Sequence, residues 1–162
     1  MAATTVRTVM TKDVVSVRAL TTYKAIARIL YENDISAVPV VDADHRVQGV
    51  VSEADLIEKQ AQLVREHAEP RRPTGRRARR ARTKARAASA AALMSGPAIT
   101  VRPEANLATA AWLMSTHNVK RLPVVDADGR LIGIVSRGDL LAAILRSDGE
   151  IHDEVLNGVL LA

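Results

Sequence analysis

The chain contains a long internal repeat: residues 10–57 recur as residues 94–141, at a constant offset of 84 and without a gap. The most similar stretches read VPVVDADHRVQGVVSEADL from Val38 and LPVVDADGRLIGIVSRGDL from Leu122. A repeat of this length indicates one structural unit built twice. We therefore expect two similar units that pack with pseudo-two-fold symmetry, and a site in one unit predicts a matching site in the other.

Hydrophobic periodicity and turn residues predict the same order of elements in both repeats: strand, helix, strand, strand, helix, which gives an α+β fold. A hairpin turn with positive φ is expected at Gly129 and at the equivalent His45. The first helix of repeat 2 is expected to bury Leu107, Ala110, Ala111 and Met114. The predicted strands are residues 14–17, 37–41 and 47–52 in repeat 1 and 98–101, 121–125 and 131–136 in repeat 2; the predicted helices are residues 22–33, 53–68 and 106–118, with another after residue 136.

The positive charge of the chain is concentrated in one segment. Between Arg71 and Arg86 there are nine basic residues and no acidic residue. Removing those nine charges from the net charge of +5 leaves −4, so the basic character belongs to a linker and not to the repeats. The expected divisions are residues 1–68 for repeat 1, 69–88 for an exposed basic linker, 89–146 for repeat 2 and 147–162 for a C-terminal amphipathic helix.

Composition excludes several classes of site. The chain has no cysteine, so it forms no disulfide, zinc–thiolate site or cysteine nucleophile. No apolar run approaches the ~20 residues of a membrane span, and the first residues lack a signal-peptide pattern, so a cytoplasmic location is expected. The sequence shows no catalytic triad, paired-carboxylate site or metal-binding spacing of histidines, and we expect neither a metal site nor an enzymatic activity.

Three motifs occur once in each repeat. They are Val9-Met10-Thr11 and Leu93-Met94-Ser95, Pro39–Asp42 and Pro123–Asp126, and Gly49–Leu56 and Gly133–Leu140. On these motifs the chain resembles a tandem pair of CBS domains, often called a Bateman module. The resemblance implies a regulatory module that binds adenosine-containing ligands in clefts between the two repeats and that forms a homodimer shaped as a flat disc.

A Ser-x-x-Asp pattern lies where the third strand of each repeat meets the following helix, as Ser52 with Asp55 and Ser136 with Asp139. This spacing is typical of a capping box, in which the serine is the N-cap and the acid lies at N3. A carboxylate can also accept both hydroxyl hydrogens of a ribose. The resemblance to CBS domains implies ribose binding by these four residues, and one aspartate can serve both purposes.

The second strand of each repeat contains a proline, Pro39 or Pro123, which lacks the N–H that a sheet ladder needs. This predicts an edge strand or a face turned to a ligand. Gly49 and Gly133 in the third strands indicate a β-bulge or a close backbone approach. A buried sheet core explains the neighbouring apolar residues as well as a ligand does. The resemblance implies adenine contacts from Val15, Ser16, Val38, Pro39, Ile99, Thr100, Leu122 and Pro123.

The two repeats differ in charge near the predicted ribose site. The equivalent residues are Lys120, Arg121 and Arg137 in repeat 2 and Ser36, Ala37 and Glu53 in repeat 1. The three cations predict phosphate binding beside repeat 2, while repeat 1 favours a nucleoside or a less charged group. The alternative is that these lysine and arginine residues are ordinary solubility residues of the surface.

The expected ligand is AMP, ADP or ATP, ahead of S-adenosylmethionine or NAD, and its binding is expected to signal to a downstream protein partner. In a different interpretation, residues 71–86 bind nucleic acid or an anionic membrane and the clefts are degenerate. A dimerisation platform that binds neither is a third interpretation. Trp112, off the buried helix face, is a candidate for the dimer interface, and partial burial under the linker is the alternative. Residues 146–162 are similar to the opening helix of a BON domain, which predicts that most of such a domain is missing. The alternative is a terminal helix that docks on the module or on a partner subunit.

Overall fold

The structure is a computed structural model that describes residues 4–68 and 88–146. The predicted C-terminal helix, residues 147–162, and residues 69–87 of the predicted linker lie outside the described residues. The predicted first helix, second strand and third strand of each repeat are confirmed. The elements are α1 (Val6–Val9), β1 (Val17–Arg18), α2 (Tyr23–Glu32), β2 (Ala37–Val41), β3 (Val47–Ser52), α3 (Glu53–Ala68), α4 (Ala90–Leu93), α5 (Leu107–His117), β4 (Arg121–Val125), β5 (Leu131–Ser136) and α6 (residues 137–146).

The described residues form two compact units, and the short helix before each repeat lies in the unit of the other repeat. The backbone N–H of Val6 in α1 donates to the carbonyl of Ala105 at 2.9 Å, and that of Ala90 in α4 donates to the carbonyl of Thr21 at 2.8 Å. The repeat-1 unit contains residues 15–68, 88–98 and 128–131, and the repeat-2 unit contains residues 4–14, 99–127 and 132–146.

The repeat-1 unit is built on a three-stranded sheet of order β1-β2-β3, in which β1 is parallel and β3 antiparallel to β2. Helix α2 begins at its N-cap Thr22, whose side chain accepts a hydrogen bond from the N–H of Ala25 at 3.3 Å. The apolar face of α2 completes the core of this unit. The core residues are Val17, Ile26, Leu30, Val38, Val40, Val51, Leu56 and Ala90.

The repeat-2 unit follows the same plan with β4 and β5. Helix α5 begins at Asn106, whose side chain accepts from the N–H of Thr109 at 2.8 Å, and it ends at Asn118 with a φ of 51°. Ala111 is exposed, so its predicted burial was wrong. It lies about 100° around the helix from the buried Ala110, at the edge of the apolar stripe. The core residues are Val6, Val101, Ala110, Met114, Leu122, Val124, Val135 and Leu140.

The first strand of each repeat is shorter than predicted. Strand β1 contains only Val17 and Arg18, and its equivalent in repeat 2 is a single parallel bridge between Val101 and Val124. Strand β2 lies in the middle of its sheet, so of the two interpretations of Pro39 the edge strand is wrong. A proline is tolerated there because its missing N–H lies beyond the point where β1 begins to pair.

The predicted hairpin turns are confirmed in both repeats. His45 has a φ of 65° and Gly129 a φ of 80°, both in the left-handed region. In repeat 1 the side chain of Asp42 accepts hydrogen bonds from the backbone N–H groups of Asp44 and Arg46, both at 2.9 Å. This side-chain bonding stabilises the turn, as is typical of aspartate at the first position.

Gly49 and Gly133 admit the segment that precedes the opposite repeat. A Cβ added to Gly49 would lie 2.6 Å from the sulfur of Met94 and 2.9 Å from the carbonyl oxygen of the following residue. A Cβ added to Gly133 would lie 2.5 Å from the sulfur of Met10 and 3.1 Å from the carbonyl oxygen after it. The register between β2 and β3 also shifts beside Gly49. Close approach and bulge are therefore both confirmed in repeat 1, and the atoms that approach Gly49 belong to the chain itself.

Candidate functional site

The Ser-x-x-Asp pattern forms a capping box in both repeats. The backbone N–H of Ser52 donates to Oδ2 of Asp55 at 2.8 Å, and the N–H of Asp55 donates to Oγ of Ser52 at 3.3 Å. The same pair of bonds joins Ser136 and Asp139, at 2.8 and 3.2 Å. The hydroxyl of Ser52 also donates to Oδ2 of Asp55 at 3.0 Å. The capping interpretation is thus confirmed, and it fixes the orientation of each carboxylate.

Each capping aspartate keeps one carboxylate oxygen for another partner. Oδ2 receives the bonds of the capping box, whereas Oδ1 of Asp55 and of Asp139 receives no hydrogen bond from residues 4–68 and 88–146. Both aspartates are half-buried, so a bound hydroxyl could reach this oxygen. A carboxylate oxygen that is held in place and still unoccupied suits a ribose hydroxyl, because it needs little reordering on binding.

Pro123 leaves backbone polar groups of the preceding segment without a ladder partner. The N–H of Val101 donates to the carbonyl of Pro123, and the N–H of Val125 donates to the carbonyl of Val101, both at 3.0 Å. The N–H and C=O of one strand residue point to the same side, so the ring nitrogen of Pro123 faces Ile99, two residues before Val101. Within the part of the chain that the structure describes, the N–H and C=O of Ile99 have no backbone partner.

The same arrangement occurs beside Pro39. Its partner in β3, Val50, exchanges both backbone hydrogen bonds with Ser95, at 3.2 and 3.0 Å, so Pro39 must turn its own polar groups toward the β1 side. Val15 is the equivalent of Ile99; it is 36% exposed, and its N–H and C=O lack a backbone partner among the described residues. An unpaired N–H beside an unpaired C=O matches the donor and acceptor that an adenine edge presents.

The structure divides the residues predicted to contact adenine between core and surface. Four of them are fully buried: Val38, Pro39, Leu122 and Pro123. For these side chains the structure agrees with the core interpretation that the sequence left open. The other four residues are at least partly exposed, so a ligand can reach their side chains or backbone. They are Val15, Ser16, Ile99 and Thr100.

The residues predicted to bind phosphate lie together at the start of α6. The N–H of Arg137 donates to the carbonyl of Lys120 at 3.0 Å, and Arg137 directly follows the capping serine. Lys120 and Arg137 are exposed, while Arg121 is half-buried. In repeat 1 the N–H of Glu53 donates to the carbonyl of Ser36 at 2.8 Å. An acidic residue therefore stands in repeat 1 where repeat 2 has an arginine.

Other predicted features fall outside these two sites. Trp112 is 62% exposed, as expected from its position off the buried face of α5. Among residues 4–68 and 88–146, no cluster of three or more His, Cys, Asp or Glu side chains could hold a metal ion. In the same residues no helix combines the length and the apolar character needed to cross a membrane.

Sequence reasoning missed how each site is supported. Met10 and Met94 were recognised as motif residues, yet their packing against Gly133 and Gly49 in the opposite repeat was not predicted. The unpaired backbone at Ile99 was also missed, since it depends on the register between two strands. The signal for the first feature was present in the sequence: methionine and glycine recur together at the offset of 84.

The fold and the two matching sites define a class of protein. The sequence profile of the CBS domain matches residues 6–62 and 90–146, which together make up more than half of the chain. The chain therefore belongs to the CBS-domain family, as a tandem pair. The α+β fold of two repeats and the resemblance carried by the three motifs are confirmed.

Known relatives align with this chain over different fractions of their length. It is 31% identical to MJ1426 of Methanocaldococcus jannaschii over 74% of this chain and 79% of that protein. It is 30% identical to the chloroplastic CBSX1 of Arabidopsis thaliana over 88% of this chain and 64%, less than two thirds, of CBSX1. The structure of Arabidopsis CBSX2 in complex with AMP matches with a TM-score of 0.72 and 31% identity, covering 89% of this chain and 98% of that one.

Proposed function

We propose that this chain is a non-catalytic regulatory module that binds an adenine nucleotide, AMP, ADP or ATP, in the repeat-2 unit. The observation that carries the proposal is the pair of unfilled positions in that unit: the unpaired backbone of Ile99 beside Pro123, and Oδ1 of Asp139. The AMP complex of CBSX2, which is similar over almost its whole length, supports the same ligand class.

Each part of the nucleotide has a matching group in the unit. The backbone N–H and C=O of Ile99 pair with the acceptor and donor of the adenine edge. Oδ1 of Asp139 accepts from the ribose hydroxyls. Lys120 and Arg137 attract the phosphate through their positive charge. The binding energy is spread over three kinds of contact, so loss of one contact weakens the complex without abolishing it.

Regulation requires that the nucleotide bind two states of the module with different affinity. We place the module in the cytoplasm as a homodimer, with Trp112 in the interface, and expect a downstream protein partner to bind one of the two states. An exposed tryptophan is a common anchor residue of such interfaces. Chemical crosslinking of the wild type and Trp112→Ala in the presence and absence of AMP tests this part of the proposal.

The substitution Asp139→Asn separates ribose binding from helix capping. The amide oxygen can still accept from the N–H of Ser136, but the amide nitrogen that replaces Oδ1 cannot accept from a ribose hydroxyl. A hydrogen bond to a charged group contributes about 1.5–3 kcal/mol, so the affinity for AMP should fall about tenfold to a hundredfold. Isothermal titration calorimetry with AMP, ADP, ATP, S-adenosylmethionine and NAD measures this effect and ranks the ligands.

The matched control is Asp34→Asn, which makes the same chemical change at an exposed position with a φ of 50°. Repeat 2 already has an asparagine, Asn118, at the equivalent position. The control should bind AMP as the wild type does. The proposal is wrong if the wild-type protein binds none of the five ligands, or if both variants bind AMP equally well.

The salt dependence of binding distinguishes this function from binding of nucleic acid or membranes through residues 71–86. Replacing the nine basic residues of 71–86 by alanine should leave the affinity for AMP unchanged. The same variant should lose any binding to nucleic acid or to anionic vesicles, and in the wild type such binding should weaken steeply between 50 and 200 mM salt, a change of about 10³–10⁵ for 6–10 contacts. Loss of AMP binding on this replacement would contradict the proposal.

A further inference from the structure

The two units share their backbone arrangement but not the charges around it. Each has a proline in its second strand and a capping box in which one carboxylate oxygen is unoccupied among the described residues. The exposed residue directly after the capping serine is Glu53 in repeat 1 and Arg137 in repeat 2. The residues before the strand proline also differ in charge. They are Ser36 and Ala37 in repeat 1 and Lys120 and Arg121 in repeat 2.

The positions of these charges relative to the aspartates are equivalent. Glu53 is held by a backbone bond of 2.8 Å to Ser36, and Arg137 by one of 3.0 Å to Lys120. Each follows a capping serine and precedes the aspartate by two residues, at the first turn of a helix. We therefore expect a substituent on a ribose that is bound to the aspartate to lie near a carboxylate in the repeat-1 unit and near a guanidinium in the repeat-2 unit.

From this we infer that the module sorts adenosine ligands by charge. The repeat-2 site takes adenosine that carries a phosphate. The repeat-1 site takes adenosine whose 5′ substituent is uncharged or cationic, and Glu53 is the residue that excludes phosphate. This inference rests on the proposed binding of adenosine and adds to it a second ligand class with its own site.

The charge of an exposed side chain two residues from a half-buried aspartate is strong enough for such sorting. A phosphate monoester carries about −1.5 to −2 charges near neutral pH, so a carboxylate repels it where a guanidinium attracts it. Water and salt screen both interactions, which limits their effect to near neighbours. We expect the reversal of one such charge to change the affinity for AMP about tenfold and the affinity for adenosine only slightly.

Two variants isolate the sites in the intact chain. Asp55→Asn weakens the ribose contact of the repeat-1 unit and leaves the repeat-2 site, while Asp139→Asn does the reverse. Calorimetric titration of each with AMP, adenosine and 5′-amino-5′-deoxyadenosine gives the charge preference of the remaining site. Asp55→Asn should bind AMP about tenfold more tightly than adenosine. Asp139→Asn should bind adenosine and the 5′-amine about tenfold more tightly than AMP.

A charge reversal then tests the role of Glu53 directly. Added to Asp139→Asn, the substitution Glu53→Arg should raise the affinity of the repeat-1 site for AMP about tenfold. The matched control is Glu66→Arg, which adds the same charge at an exposed position of the same helix, thirteen residues and roughly 20 Å further along. At physiological salt that distance exceeds the screening length of about 8 Å, so the control should leave the affinity for AMP nearly unchanged.

The outcomes distinguish this inference from the proposed function. If Asp55→Asn and Asp139→Asn rank the three ligands in the same order, charge sorting is wrong although adenosine binding stands. If Asp139→Asn binds none of the three while Asp55→Asn binds AMP, the repeat-1 unit has no adenosine site and the inference is also wrong. If the wild type binds none of them, the proposed function itself is wrong.

Discussion

In repeat 1 the backbone nitrogen of Ser52 lies 2.8 Å from the carboxylate of Asp55, and in repeat 2 the nitrogen of Ser136 lies 2.8 Å from that of Asp139. The residues that follow these two serines carry opposite charges, Glu53 and Arg137. The capping bonds satisfy backbone N–H groups at the start of a helix that have no partner within it, so the capping geometry has little room to differ between the repeats. An exposed side chain has no such requirement, and its charge can be adapted to a ligand at little cost to folding.

The largest difference in stability between the repeats is expected at the two close-approach glycines. Gly49→Ala should lower the free energy of unfolding by about 2–3 kcal/mol and Gly133→Ala by about 1–2 kcal/mol, within the range for overpacking. In both, the new Cβ meets a flexible methionine, Met94 or Met10, but the backbone carbonyl oxygen is nearer in repeat 1, 2.9 Å against 3.1 Å. Backbone yields less readily than a methionine side chain. Urea denaturation of the wild type and the two variants measures these free energies of unfolding.

Gly138→Ala is the control for these two substitutions. A Cβ on Gly138 would find its nearest neighbour, Oγ of Ser136, at 3.6 Å, an ordinary contact distance. Because Gly138 lies in α6, alanine should raise stability by about 0.5–1 kcal/mol. Equal effects at all three glycines would show that the segments containing Met10 and Met94 do not pack against the repeats as described.

The second comparison concerns the two strand prolines. Pro123→Ala supplies an N–H that can pair with the carbonyl of Ile99 and so lengthen the sheet ladder. The new bond competes with adenine for that carbonyl, and the affinity for AMP should fall about tenfold. Pro39→Ala makes the same change in the repeat-1 unit and should leave AMP binding in the repeat-2 unit unchanged. Calorimetry measures the affinities, and amide hydrogen exchange reports whether the new N–H is bonded.

A protected amide at position 123 combined with wild-type affinity for AMP would break this argument. It would show that AMP does not bind the carbonyl of Ile99, because that carbonyl would then accept from the N–H of residue 123. A protein with an unprotected amide and weakened binding would instead point to the lost ring of Pro123, which is fully buried.

Local patterns predicted the elements well because their causes are local. Short apolar runs that flank a turn predicted β2 to β5 to the residue, and the side chains of Thr22 and Asn106 marked where α2 and α5 begin. What failed depends on partners distant in sequence. The length of β1 is set by Pro39 on the neighbouring strand, and nothing within the segment around Val6 reveals that it packs on the other repeat. The sequence assigned Asp55 and Asp139 to helix capping and to ribose binding. Only the geometry showed that capping leaves one carboxylate oxygen for a ligand.

The smallest expected effect comes from the capping serines. Ser52→Ala should cost about 1 kcal/mol of stability and Ser136→Ala somewhat less. The hydroxyl of Ser52 takes part in two bonds with Asp55, at 3.0 and 3.3 Å, whereas that of Ser136 accepts one from Asp139 at 3.2 Å. Thermal or urea unfolding is sensitive enough to rank the two variants against the wild type.

These serine variants also separate the two roles of the aspartates. Ser136→Ala keeps the bond from the N–H of residue 136 to Asp139, so the carboxylate stays oriented and the affinity for AMP should change less than about threefold. Asp139→Asn should do the opposite, with little loss of stability and a large loss of affinity. If both variants lose stability and affinity in parallel, capping and ribose binding are one structural effect. Capping alone would then explain why a serine and an aspartate stand three residues apart in each repeat.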